Sequence, residues 1–212
     1  MEYNIKILRS ARKSISLTVA ADNSITVRCP KYMSDTKVND FIAQKRKWLE
    51  KVIYANNKKQ SENGAILNYS EIYVSGIRLP LFVGDKNLIT QNAVYVKNVK
   101  RIKQLLVKNF SKQFINYVYE LSAQISLFAN SITIKSYKSR WGCCDRNKSL
   151  KFNSVIFMLP PEIQRYVIIH ELCHTVHFNH SAEFWDLVSE YIPNYKKVRN
   201  ELKKYDYLTR IY

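Results

Sequence analysis

The stretch LPPEIQRYVIIHELCHTVHFNHSAEFW at 159–185 contains all four histidines of the 212-residue chain. Pro160 and Pro161 predict the start of a helix, because proline is tolerated in a first turn, and apolar residues continue the helical pattern as far as the first histidine. His170 and His174 are four residues apart, so their side chains fall on one face of that helix, about 5–6 Å apart at Cβ. Two imidazoles in this arrangement can bind one zinc ion at about 2.0–2.1 Å each.

Glu171 follows the first of these histidines and turns its carboxylate toward the open side of the metal. There it can act as general base on a zinc-bound water, whose pKa the metal lowers toward ~7. This His-Glu-x-x-His pattern on a helix is typical of zinc hydrolases. A purely structural zinc site usually closes four ligands and often uses Cys, but Cys173 lies off the ligand face. We therefore predict Zn2+ as cofactor and Glu171 as the catalytic base.

A third ligand has to come from beyond the helix. His180 follows His170 by ten residues, which would be about 15 Å along a straight helix, so it can bind the metal only if the chain turns back. Asn179 suits a break because Asn tolerates the left-handed conformation that ends helices, and Ser181 can cap the next helix. His177 is the alternative, but it lies about 10 Å along the axis. We therefore predict that His180 is the third metal ligand, and that His177 borders the cleft or makes a hydrogen bond to one of the metal-binding histidines.

Composition and charge describe the environment of the chain. The formal net charge of +17 favours polyanions, so nucleic acid is a candidate partner, although a basic surface also keeps a protein in solution. No stretch reaches the ~18 uncharged apolar residues of a membrane span, and no signal-peptide core precedes residue 30, so we expect a cytoplasmic protein. The four cysteines match no disulfide framework.

Periodicity predicts an α+β fold, with strands first and helices later. Residues 3–9, 14–20 and 24–28 alternate as strands, Ser34 caps a helix to about residue 55, and polar residues 56–64 mark a boundary. This predicts an N-terminal β-hairpin and helix region at 1–60 and a second domain at 61–212. In the second domain we expect a hairpin of 71–83 with 87–97, a helix at 100–129, strands near 132–137 and 150–157, and helices at 182–191 and 195–205.

The segment His170–Trp185 resembles the zinc-binding stretch of the YgjP-like metallopeptidases, which are related to the SprT-like proteases. Ser139-Arg-Trp-Gly-Cys143 resembles the family's Ser-Arg-Trp-Gly-x-Cys pattern in part, with the Cys at Cys144 and Cys143 in place of a small Ser. Ser149–Asn153, Leu159–Glu162, residues 9–12, Ile25–Pro30 and Lys47-Trp48 extend the resemblance over nearly the whole chain. It implies a minimal zincin-like, gluzincin-type domain that cleaves a peptide or protein substrate, with His170, His174 and His180 as zinc ligands and Glu171 as base.

Several assignments stay open at the level of sequence. The alternatives to a peptidase are a nucleic-acid-binding module with a structural or vestigial metal site, and a metal-dependent nucleotide pyrophosphohydrolase. The SprT-like relatives act on DNA-attached proteins, which by analogy adds a role near nucleic acid. The oxyanion donor could be a Tyr, Arg140 or His177, and Arg140-Trp141 could equally form a packed loop corner. Phe184 and Trp185 are interpreted as packing behind the zinc site, and the strand near 150–157 as the edge that binds an extended peptide.

Overall fold

The computed structural model describes residues 4–20 and 22–211, so residue 3 of the predicted first strand lies outside the described residues. Runs of strands and runs of helices follow one another along the chain, and the predicted α+β class is confirmed. The chain forms two compact units, Met1–Gly64 and Ala65–Tyr212. In the described residues, no helix has the length and apolar character that crossing a membrane requires.

The first unit contains a three-stranded sheet and helical segments. Its elements are β1 (Ile5–Ser10), β2 (Ser16–Val19), β3 (Ile25–Pro30), α1 (Asp35–Gln44) and all but the last turn of α2 (Arg46–Leu67). The strand order is β1-β3-β2, in which β1 pairs parallel and β2 antiparallel with β3. Asn23, with φ of 64°, lies in the predicted turn between β2 and β3, and Val27, Cys29 and Val38 form the buried core of this unit.

The single helix predicted from Ser34 to about residue 55 is wrong in two respects. Ser34 does cap α1, and its side chain accepts a hydrogen bond from the Lys37 amide. However, the chain interrupts the helix at Lys45, and α2 then continues to Leu67 through the polar residues at 56–64. Lys, Gln and Glu have good helix propensity, so a polar run can extend a solvated helix.

The second unit begins with a four-stranded sheet. Its strands are β4 (Glu71–Val74), β5 (Ile77–Val83), β6 (Leu88–Ile89) and β7 (Val94–Val96), in the order β4-β5-β7-β6. The predicted hairpin of 71–83 with 87–97 is wrong, because β5 pairs parallel with β7 while β4 and β5 form the hairpin. The turn of that hairpin contains Gly76 at φ of 83°, where a Cβ would lie 2.7 Å from Pro160. Glycine at this position therefore lets the hairpin pack against the residue that precedes the histidine helix.

The remaining elements are the helix that carries His170 and the segments that accompany it in the second unit. They are α3 (Ile102–Gln124), β8 (Ser131–Lys135), β9 (Gly142–Cys144), β10 (Ser149–Asn153), α4 (Pro161–Cys173), α5 (Ala182–Tyr191), α6 (Tyr195–Leu202) and α7 (Leu208–Ile211), with short 3-10 turns at Val99–Arg101, Ser154–Met158 and Lys203–Tyr205. The predicted strand at 150–157 ends at Asn153, and its last residues form one of these buried 3-10 turns. Ile168, Ile169 and Leu172 of α4 are fully buried in the same core as Leu150 and Phe152 of β10. This core fixes the histidine helix within the unit.

Candidate metal centre

The structure brings the imidazoles of His170, His174 and His180 together. One ring nitrogen from each lies within 4.8 Å of the others, and the Nε2 atoms of His170 and His180 are 3.2 Å apart. Two nitrogens that each lie ~2.0–2.1 Å from one tetrahedral ion are about 3.3–3.4 Å from each other, so this pair is already spaced for a shared metal. Three imidazoles suit zinc and leave one coordination position for water or substrate.

The chain reversal that brings His180 back begins earlier than the sequence predicts. Helix α4 ends at Cys173, and the next residues form a turn in which the Thr175 hydroxyl donates to the Leu172 carbonyl at 2.7 Å. The left-handed conformation predicted for Asn179 is wrong, because Asn179 is not among the positive-φ residues of the described chain. Its side-chain oxygen instead accepts a hydrogen bond from the Ser181 amide at 3.3 Å. Ser181 occupies the N-cap position of α5 but makes no side-chain capping bond.

His177 contributes its backbone to the centre. The Nδ1 atom of His174 lies 2.8 Å from the His177 carbonyl oxygen. A carbonyl only accepts, so Nδ1 carries the proton and the Nε2 lone pair stays available to a metal. The predicted hydrogen bond from His177 to a ligand is therefore made by the main chain, and the His177 imidazole lies outside the cluster of three.

Aromatic rings hold the imidazoles in place. Phe184, which is fully buried, stacks on His174 with ring centroids 4.3 Å apart. Trp185 stacks on His180 at 5.5 Å and on Tyr195 at 5.2 Å. The prediction that both residues pack behind the site agrees with these contacts. Because the rings face each other closely, they restrict rotation of the imidazoles before any metal binds.

Burial keeps the three histidines in the form that binds metals. Burial, together with the neighbouring His174 and His180, lowers the pKa of His170 to about 3. Burial also lowers the pKa values of His174 and His180. At neutral pH the rings are therefore uncharged, and a metal ion does not have to displace protons from them.

Glu171 lies beside this cluster and is almost completely buried, with 5% of its surface exposed. Burial raises its pKa to about 8, although the positive charge of Arg140 opposes the shift. A Cβ on Gly142 of β9 would lie 2.7 Å from the Glu171 Cγ and 2.8 Å from Oε1. Only glycine leaves room for the carboxylate here. No protein group in the described residues donates a hydrogen bond to this carboxyl group.

A cleft of about 310 Å³ opens in front of these residues, with Arg140, Trp141, Glu171, His170 and His180 in its lining. Trp141 is 8% exposed, and its indole N–H donates to Asp206 at 3.0 Å. Arg140 is exposed along the cleft. The sequence left two roles open for Arg140-Trp141, and each residue takes one of them. Arg140 borders the cleft, and Trp141 forms the packed corner of the loop.

The strand that was predicted to bind an extended peptide does not lie at the edge of its sheet. In the sheet order β8-β10-β9, β10 pairs on both sides and has no free edge. Strand β9 is an edge strand, and no strand of the described chain pairs with its outer side. The Trp141 carbonyl and the Asp145 amide bond to the β10 side. Because such bonds alternate along an antiparallel pair, the amides and carbonyls of Gly142 and Cys144 point outward next to Glu171.

Asn153 is a site-forming residue that the sequence analysis did not single out. It is fully buried, and its side-chain NH2 donates to the carbonyls of Tyr137 and Arg140 at 2.8 Å each. Its backbone amide donates to the Trp141 carbonyl at 2.7 Å. These bonds hold the loop that leads into Gly142. The sequence feature that could have indicated this role is a polar residue at the end of an apolar strand pattern, because a buried side-chain amide needs hydrogen-bond partners.

Replacing Asn153 with Ala is expected to lower the free energy of unfolding by about 2–4 kcal/mol, because the carbonyls of Tyr137 and Arg140 both lose their buried donor. Urea denaturation of the metal-free chain measures this loss. Asn147→Ala is the matched control, since Asn147 is exposed on the adjacent turn. A loss for Asn153→Ala no larger than for the control would contradict the role of Asn153 in holding the loop.

Comparison with known proteins adds an independent finding. The sequence matches the family model described as YgjP-like, metallopeptidase domain, over residues 13–205. The chain is similar to the crystal structure of the metallopeptidase zymogen of Pyrococcus abyssi abylysin, with 18% identity, a TM-score of 0.37, and coverage of 43% of this chain and 90% of that chain. It is also similar to the crystal structure of the metallopeptidase zymogen of Methanocaldococcus jannaschii jannalysin, with 21% identity, a TM-score of 0.39, and coverage of 43% of this chain and 94% of that chain. Curated protein sequences give no significant match.

Proposed function

Because this chain belongs to the YgjP-like metallopeptidase-domain family, we propose that it is a zinc-dependent peptidase in which His170, His174 and His180 bind the metal. The observation that carries the proposal is the convergence of three imidazoles within 4.8 Å beside the buried carboxylate of Glu171. A structural metal site has no use for a carboxylate with free lone pairs at its open side. A hydrolytic site needs one to accept a proton.

In this proposal Glu171 is the general base and later the general acid. A zinc ion held by the three histidines would supply an acidified water and would polarise the scissile carbonyl. Glu171 accepts the proton of the attacking water and returns it to the leaving amine. Contact with Gly142 limits the positions that the carboxylate can adopt. Burial raises the pKa of Glu171, which suits a group that holds a proton between the two steps, and the positive charge of a bound zinc ion would favour the ionised form that starts the reaction.

The outer edge of β9 is the proposed substrate-binding strand. An extended peptide can hydrogen-bond to the outward-facing main-chain groups of Gly142 and Cys144 by strand addition. This placement would run the peptide past Glu171, since Gly142 is in contact with its carboxylate. Main-chain recognition of this kind leaves side-chain preference to the residues that line the cleft.

The basic charge of the chain supports a second, less specific element of the proposal. A formal charge of +17 suits a peptidase that acts near a polyanion. Binding to nucleic acid stays a prediction, as does the cytoplasmic location. Proteins attached to DNA are substrates of the SprT-like relatives and are not assigned to this chain.

The test is to purify the full chain, measure its zinc content, and incubate it with casein and nucleoside triphosphates side by side. We expect one zinc per chain and cleavage of casein that stops with a chelator and returns with added zinc. Hydrolysis of the triphosphates alone would instead favour the pyrophosphohydrolase. A zinc-loaded chain that cleaves neither substrate would favour a structural or vestigial site.

A further inference from the structure

Three cationic side chains line the cleft, and none of them has a carboxylate partner in the described residues. They are Arg140, Arg199 and Lys203. The Lys203 ammonium donates to the neutral amide of Asn200 at 3.1 Å. Of the two carboxylates in the lining, Glu171 is in contact with Gly142, and Asp206 accepts the indole N–H of Trp141. Among the described residues, the three cations of the lining are therefore not held in ion pairs and can bind an anionic group of a ligand.

Arg199 packs against an aromatic ring that contacts the metal centre. Its guanidinium lies 4.7 Å from the centre of the Trp185 ring, and that ring stacks on His180. A guanidinium that stacks on an aromatic face keeps its N–H edge free for two parallel hydrogen bonds to a carboxylate.

Arg140 and Lys203 extend the positive charge around the cleft. Lys203 follows Arg199 by four residues at the C-terminal end of α6, so the two side chains emerge one above the other on the same side. Arg140 immediately precedes the Trp141-Gly142 segment and lies over the Tyr137 ring at 5.6 Å. The cations therefore come from two separate segments of the chain that meet at one cleft.

We propose that this cleft binds a carboxylate of the substrate through Arg199, with Arg140 and Lys203 as supporting charges, so that the enzyme selects acidic peptides. The carboxylate can be an Asp or Glu side chain near the scissile bond or the C-terminal carboxylate of the peptide. The inference rests on the proposed peptidase function and adds a substrate class to it. A carboxylate is the anionic group that a peptide itself carries, and a guanidinium can bind it through two parallel hydrogen bonds.

The first experiment measures binding without hydrolysis. The zinc-loaded Glu171→Gln chain is titrated with fluorescent, end-blocked peptides that differ only in carrying Glu, Gln or Lys at one position, and the position is scanned along the peptide. A parallel pair of Gln peptides carries a free or an amidated C-terminus. We expect the carboxylate to tighten binding about tenfold at low salt, because charge-assisted hydrogen bonds are strong but this cleft is open to solvent. A Lys peptide is expected to bind weakest.

The assignment to Arg199 is tested by adding Arg199→Gln to that chain. This change should remove most of the preference for a carboxylate, whereas Arg101→Gln, which removes an exposed charge outside the cleft, should leave it intact. Equal binding of Glu and Gln peptides, or a preference that survives Arg199→Gln, would overturn the proposal. Arg199-dependent binding of nucleoside triphosphates with no carboxylate preference would also overturn it.

A separate measurement distinguishes failure of the carboxylate-binding proposal from failure of the proposed peptidase function. The wild-type chain with zinc is incubated with the same peptides, and its products are identified by mass spectrometry. Cleavage without carboxylate preference contradicts only the acidic subsite. Absence of zinc-dependent cleavage from every peptide contradicts the peptidase, while the titrations above still decide whether the cleft binds carboxylates.

Discussion

Glu171→Gln is expected to lower kcat for peptide hydrolysis by about 10³-fold, within the range measured for loss of a general base, while one zinc per chain stays bound. Gln has the same shape as Glu but cannot accept the proton of the attacking water. Glu171 is not among the three converging metal-binding groups, so the metal should be retained. The fit against Gly142 should also be preserved, because the side-chain volume does not change.

The measurement pairs metal analysis with initial rates on the same preparation. Glu162→Gln is the control, since Glu162 lies on the same helix in its exposed first turn, and its rate should stay within about twofold of the wild type, as for surface substitutions generally. Full activity in a zinc-loaded Glu171→Gln chain would exclude Glu171 as the base. Loss of zinc from that chain would instead assign Glu171 to metal binding.

The histidine pair on α4 could be predicted because helical geometry is local. Four-residue spacing places His170 and His174 on one face wherever the helix lies in the fold. The need for a reversal before His180 also followed from helix length. How the chain reverses could not be predicted, because α4 ends by a turn at residues 174–177 and Asn179 acts through its side chain. Several local structures produce the same reversal, and packing selects among them.

Strand β9, which contacts Glu171, could not be predicted from the sequence for a different reason. Strand β9 has three residues, Gly142–Cys144, which is too short for an alternating pattern to appear. Without it, β10 looked like the edge of the sheet, although it pairs on both sides. The roles of Gly142 and Asn153 depend on contacts with residues 29 and 13–16 positions away. Such contacts exist only in the folded chain, so sequence spacing does not indicate them.

His180→Ala is expected to weaken zinc binding by about 10²–10³-fold, since structural zinc sites with four ligands bind with about 10–16 kcal/mol and each ligand supplies a share. The fold should be retained, because His180 is exposed and follows the core helix α4. Competition with a fluorescent zinc chelator measures the affinity, and circular dichroism checks the fold.

His177→Ala separates the two candidates for the third ligand. The interaction that His177 makes with the centre uses its backbone carbonyl, which accepts from His174 Nδ1, and alanine keeps that carbonyl. We therefore expect zinc affinity close to that of the wild type for His177→Ala. Loss of zinc in His177→Ala but not in His180→Ala would reverse the assignment. Equal losses in both would indicate that the turn at 174–180 depends on both imidazoles, and the geometry would then no longer support a three-histidine site.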